Sequence, residues 1–264
     1  MNEIARWTSV AAATLLVGAC AMQRTIPSAE EKLSLTPTAK LRVAFLANNA
    51  AQATKDPVTG ELKGPAVDLG RHLAGRLGVP FEAVPYRTVA EMVASAPKGE
   101  WDVISLGINP DREKLIDFAA PYSQTESGYL VKGPAISTMA DVDRPGVRIV
   151  VLERGDSDIF LTRSLKHASL IRTKSVAEAV EILNSGSADV HANIKTFLIP
   201  LAVKVPSGRI LDGYWQIQPI ALGVPKGKEA SARYVRQVVD ELKAEGFVRQ
   251  SIERAAVPGL MSAP

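Results

Sequence analysis

The chain has 264 residues, 46% of them hydrophobic, with a formal net charge of +3. That is enough for one large domain or two lobes with real cores. Basic residues are spread along the chain and balanced by acids, with no basic block interleaved with aromatics, which argues against nucleic acid as a partner. The single cysteine, Cys20, excludes an internal disulfide.

In chain order, Arg6 precedes an apolar run, Val10–Val17, and small residues lead to Cys20. The run is too short to span a bilayer and has the layout of an export signal, residues 1–19. Residues 20–39 are polar and small and read as a flexible tether. Leu41–Ala47 reads as a strand. A helix follows a glycine turn: Pro65 opens it, Leu69, Leu73 and Leu77 share one face, and Gly78 and Pro80 stop it. Thr88-Val-Ala-Glu91 reads as a capping box, and Gly99–Val103 leads into a strand. Asn109-Pro110-Asp111-Arg112 reads as a helix start, with Asn109 as N-cap and Pro110 first in the helix. Ser127–Lys132 and Gln216–Val224 look extended and suit crossings between two lobes. Near the end, Tyr234, Val235, Val238 and Leu242 form the buried stripe of a long helix that Gly246 ends. A last helix spans Phe247–Ala255, and both helices are expected on the first lobe.

A weak internal repeat supports the two lobes. Leu41–Ala47 and Val147–Glu153 are β-rich runs with an arginine in second place. Thr88–Glu91 and Ser175–Glu178 are matching cap signals, each followed by Gly-x-x-Asp-Val at Gly99–Val103 and Gly186–Val190. The offset from cap hydroxyl to aspartate is the same in both halves, which predicts two similar α/β units.

Open α/β sheets bind ligands beyond the carboxyl ends of their strands. Four segments qualify: Asn48-Asn49, Ser105–Asn109, Glu153–Ser157 and His191–Ile194. Arg112 is the sharpest candidate. A guanidinium is unfavourable at a helix start, so an anion is expected to join it, either a ligand carboxylate or a nearby Asp111, Glu113 or Asp117. Asp156 suits either an N-cap or a cation partner. No nucleophile elbow, HExxH or CxxC occurs, and the histidines are His72, His167 and His191. No metal and no cofactor are therefore expected.

The stretch GELKGPAVDLGRHLAGRLGVPFEAVPY, with GEWDVISLGINPDREKLIDFAAPYSQTESGYLV after it, resembles the first lobe of the type II periplasmic solute-binding proteins, family 3, the polar amino-acid type of ABC importer receptor. The resemblance runs over roughly residues 40–260. It implies a two-lobed α/β fold hinged by two crossing strands, with residues 40–130 plus 220–264 in one lobe and 131–219 in the other. It implies that Arg112 holds a ligand carboxylate, helped by Ser105 and by the backbone of Gly107 where a small polar residue is usual. Asn109, Asn48 and Asn49 border the ligand from the first lobe. In the second lobe Gly155-Asp156-Ser157 stands where a Gly-Ser-Thr turn is usual, with Ser157 keeping the hydroxyl. Ile194, with Asn193 beside it, stands where an aspartate would grip an ammonium, so simple α-amino acids are expected to bind weakly.

Val17-Gly18-Ala19-Cys20 resembles a lipobox, which implies diacylglycerol on the Cys20 thiol. The implied protein is a monomeric lipoprotein on the extracytoplasmic face, touching the membrane through its anchor only. It would capture a small carboxylate-bearing solute for ABC permease subunits. A ligand-sensing lipoprotein and a cyclohexadienyl-dehydratase-like enzyme are the alternative readings.

Overall fold

The structure is a computed structural model that describes residues 24–47, 49–56 and 58–264. The export signal, Cys20 and Asn48 lie outside the described residues. After α1 (Ala29–Leu35), the first half runs β1 (Leu41–Leu46), the small hairpin β2 (Thr54–Lys55) and β3 (Leu62–Lys63), α2 (Pro65–Leu77), β4 (Phe81–Tyr86), α3 (Val89–Ala94), β5 (Val103–Gly107) and β6 (Ile116–Phe118). The long β7 (Ser123–Lys132) crosses to β8 (Arg148–Leu152), α4 (Asp156–Ser164), β9 (Ser169–Thr173), α5 (Val176–Asn184), β10 (Val190–Ile194), α6 (Lys195–Ala202) and β11 (Gly208–Ile210). The return crossing is β12 (Gln216–Pro225), and α7 (Glu229–Ala244), α8 (Phe247–Ala255) and β13 (Leu260–Ser262) follow it.

One curled sheet runs β4-β1-β5-β12-β7-β10-β8-β9, so the antiparallel pair β7 and β12 joins two groups of strands. In the first group β1 is parallel to both β4 and β5; in the second β8 is parallel to both β9 and β10. Each group has helices on both faces. In the first, Leu69, Leu73 and Leu77 of α2 meet Val235, Val238 and Leu242 of α7 and Ile252 of α8 over one face. Met92, Trp101 and Ile104 fill the other face. In the second, Ile149, Val151 and Leu161 fill one face, while Leu130, Leu183 and Leu198 pack on the other. Fully burying a leucine contributes about 1.5–3 kcal/mol, so these layers carry the fold.

The signals read from sequence explain most boundaries. Pro65 opens α2, and Gly78 ends it in the left-handed conformation at φ 66°. The arginines in second place and the aspartates of the two Gly-x-x-Asp-Val runs prove to be partners. Arg42 clasps Asp102 in one half and Arg148 clasps Asp189 in the other. In each case the arginine Nε and its backbone N–H donate to one carboxylate oxygen, and Nη2 donates to the other.

Three expectations need correction. The stretch read as tether contains α1, with a complete capping box between Ser28 and Glu31. Leu35 of α1 is fully buried, and Ser34 meets Ser231 of α7 at 2.7 Å. The capping boxes at Thr88 and Ser175 are half formed. Both hydroxyls accept from the N–H three residues on, but the Glu178 carboxylate accepts from the Lys174 N–H. The helix expected from Asn109 is a single 3-10 turn, Arg112–Lys114, because β6 begins at Ile116. β13, which pairs with β7, was not anticipated.

Candidate functional site

The site forms where β5 ends beside the crossing strands. β5 is buried along its whole length, and its last residue, Gly107, pairs with Ile220 of β12. A Cβ on Gly107 would lie 2.6 Å from Gln218 Nε2 and 3.1 Å from Arg112 Nη1. The glycine therefore makes room for two side chains rather than leaving a seat empty. Beyond it, the Asn109 Oδ1 accepts from the Arg112 N–H at 3.0 Å and fixes the turn.

That turn folds Arg112 back into the protein. Its side chain is 6% exposed, and Nη1 donates to the Gly107 carbonyl at 2.7 Å. None of the nearby acids is its anion. Asp111 pairs with Lys114, and Asp117 pairs with Lys226. The anion is Asp156, from the other group of strands. Its Oδ2 lies 3.2 Å from Arg112 Nη1, and its Oδ1 accepts from Asn109 Nδ2 at 2.9 Å. Asp156 is the first residue of α4, and Gly155 is the N-cap. Its carboxylate thus turns away from its own helix end and across to Arg112.

The crossing strands supply a second layer. Ser123, Thr125 and Ser127 alternate along β7 and share one face; Gln218 stands opposite Thr125, and Gln216 opposite Ser127. The three hydroxyls and both glutamine Oε1 atoms are buried and have no hydrogen-bond partner among the described residues. The period-two polar runs Ser-x-Thr-x-Ser and Gln-x-Gln were visible in the sequence. Only Ser127 of the first run falls in a segment expected to be extended, whereas both glutamines of the second do; alternation reports a strand and not which face is buried.

The remaining candidates are placed as follows. Ser105 is fully buried and shares a 2.7 Å hydrogen bond with the Tyr122 hydroxyl; burial pushes that phenol up to about 12. Ser105 therefore faces the core of the first half. Asn49 closes the turn after β1, its Oδ1 accepting from the Ala51 N–H. Ser157 is buried in the first turn of α4. Asn193 accepts from the Ile194 N–H through Oδ1, and its Nδ2 is buried without a partner among the described residues. The structure thus brings Arg112, Gly107, Asn109 and Asp156 together and leaves Ser105 and Asn49 with structural partners.

No histidine joins this group. His191 lies within β10, level with Leu130 and Val150, and is fully buried with both ring nitrogens unpartnered among the described residues. Burial lowers its pKa to about 4, so the ring is neutral. His72 accepts from Arg76 on α2, and His167 is on the surface loop held by Asp143. No group of His, Cys, Asp and Glu among the described residues could hold a metal ion.

Two groups of strands joined by two crossing strands, with polar groups meeting between them, define the two-lobed type II periplasmic-binding-protein fold. The solved receptor for L-cysteine of Neisseria gonorrhoeae has this fold. It is 21% identical, with a TM-score of 0.75 over 88% of this chain and 99% of that one. Residues 41–255 match the model of the bacterial extracellular solute-binding proteins, family 3, and the chain belongs to that family. It is 23% identical over 200 residues to the ABC transporter glutamine-binding protein GlnH of Bacillus subtilis (strain 168), covering 73% of this chain and 72% of that protein. It is 24% identical over 205 residues to the cyclohexadienyl dehydratase of Pseudomonas aeruginosa, covering 74% of each.

Proposed function

We propose that the chain is the solute-capturing component of an ABC importer, held at the extracytoplasmic face by a lipid on Cys20. Its lobes are residues 40–130 with 220–264, and residues 131–219. They would close on a small polar solute between the Arg112 turn and the start of α4, and the closed form would be the one a permease recognises. The observation that carries this reading is the meeting of Arg112 and Asp156, which joins the ends of β5 and β8. Ligands of open α/β sheets bind at such strand ends. The carboxylate expected beside Arg112 is met from within the chain, so the solute class turns on Asp156.

A thermal-shift screen of amino acids, organic acids, polyamines and neutral polar solutes tests the reading, because a ligand of the native state raises its melting temperature. A shift lost in Arg112→Ala is expected; a flat response across the screen would overturn the proposal. Catalysis of the dehydratase kind has less support, since an acid catalyst needs a free carboxyl or imidazole and the Asp156 carboxylate is held by Arg112 and Asn109. Turnover assays on cyclic acids should give no product.

A further inference from the structure

We infer that Asp156 is the resident anion of the cleft and its specificity-determining residue, so that the cleft takes uncharged, hydrogen-bonding solutes and turns away carboxylates that bring no cation of their own. This rests on the reading of the cleft as the site of solute capture. A guanidinium as buried as that of Arg112 requires a counter-charge, because an unpaired buried ion is strongly unfavourable. It receives one from 44 residues further along the chain. Both oxygens of that carboxylate are used, one by Arg112 and one by Asn109. The pair is neutral as it stands and needs nothing from outside.

An incoming carboxylate that brings no cation has two routes, and both are unfavourable; a zwitterion is exempt, because its ammonium can pair with the displaced Asp156. The lone carboxylate can displace Asp156, which then sits in the closing cleft without its cation. Or it can join Asp156 at one guanidinium, which places two like charges side by side. An uncharged solute meets neither obstacle. What it finds is a row of groups that lack partners: the Oε1 of Gln218, whose side chain reaches Gly107 beside Arg112, and the hydroxyls of Thr125 and Ser127 on the same strand face. A buried acceptor without a donor is costly, and an amide or hydroxyl group on a solute would relieve it. The chemistry therefore favours a small amide or polyhydroxyl compound over an organic acid.

The test is titration calorimetry of the intact protein with succinate and L-lactate, beside a thermal-shift panel of acetamide, myo-inositol and D-ribose. Wild type is expected to respond to the neutral panel and not to the two organic acids. Asp156→Ser frees Arg112 and is expected to gain at least about tenfold in affinity for succinate or L-lactate. Arg112→Ala in the same background should abolish that gain. Asp156→Asn removes the charge with the least change of shape and should move in the same direction if serine disturbs the first turn of α4.

Wild type binding either organic acid as tightly as Asp156→Ser would overturn the inference, and so would an Asp156→Ser protein that gains nothing. If an organic acid raises the wild-type melting temperature and Arg112→Ala loses that shift, capture in the cleft stands and only the inference falls. If no compound shifts either protein, both fall.

Discussion

The two lobes use the same clasp in different surroundings. Arg42–Asp102 and Arg148–Asp189 have the same hydrogen-bond pattern, tying the start of β1 to the residue before β5 in one lobe and the start of β8 to the residue before β10 in the other. In the first lobe the side chains are 16% and 4% exposed; in the second they are 41% and 35% exposed. A repeated motif therefore does not carry a repeated energy. Burial makes the first clasp expensive to break, while water can replace much of the second. The same contrast holds two residues beyond each aspartate. Ile104 fills the apolar interior of the first lobe, where the second lobe buries His191 with both nitrogens unmatched.

Breaking the clasps should give the largest difference between lobes. Asp102→Ala strands a mostly buried guanidinium and should cost about 3–5 kcal/mol in urea unfolding. Asp189→Ala should lower the midpoint only slightly, and equal losses would show that exposure does not set the weight of the clasp.

Next comes the histidine. His191 is held near pKa 4 when folded, against 6.5 for the free side chain. The unfolded chain takes up its proton as pH falls below 6.5, while the folded chain resists it until about 4. Stability is therefore full above the upper value and declines through that window, by about 3 kcal/mol in all. His191→Ile, which copies the first lobe, should remove that part of the acid dependence; an unchanged pH profile of the melting temperature would contradict the assignment.

The helix caps should show the smallest difference. Thr88→Ala and Ser175→Ala each remove one N–H acceptor in matching places and should each cost about 1 kcal/mol. Unequal losses would reveal a local contribution beyond the shared cap.

What could be read in the sequence was what is local. Pro65 and Gly78 marked α2, the buried stripe from Tyr234 to Leu242 marked α7, and Phe247–Ala255 was α8 to the residue. The repeat exposed the two lobes through residue types at fixed offsets. Partnerships across space were not legible. Arg42 and Asp102 were each noticed without being joined, since they lie 60 residues apart. Arg112 drew attention through the helix-dipole argument, yet no α-helix begins there. Its burial comes from the backward turn at Asn109, and its anion lies in the other lobe. α1 escaped notice because its sequence is polar. Leu35 and the ion pair from Arg233 to Glu31 fix it only once α7 is in place.

The docking of α1 also sets a distance. The body of the protein begins as early as Thr25, whose backbone and hydroxyl both bond to Glu241 of α7. A tether running to residue 39 would have let the lobes roam up to about 70 Å from an anchor at Cys20, at ~3.5 Å per extended residue. With the lead fixed at Thr25, five residues remain, and the leash is at most about 17 Å. On the proposed anchoring, the domain would ride close to the bilayer with one edge of α7 held down. It would then search for its permease by sliding and tilting on the membrane surface rather than by reaching out from it.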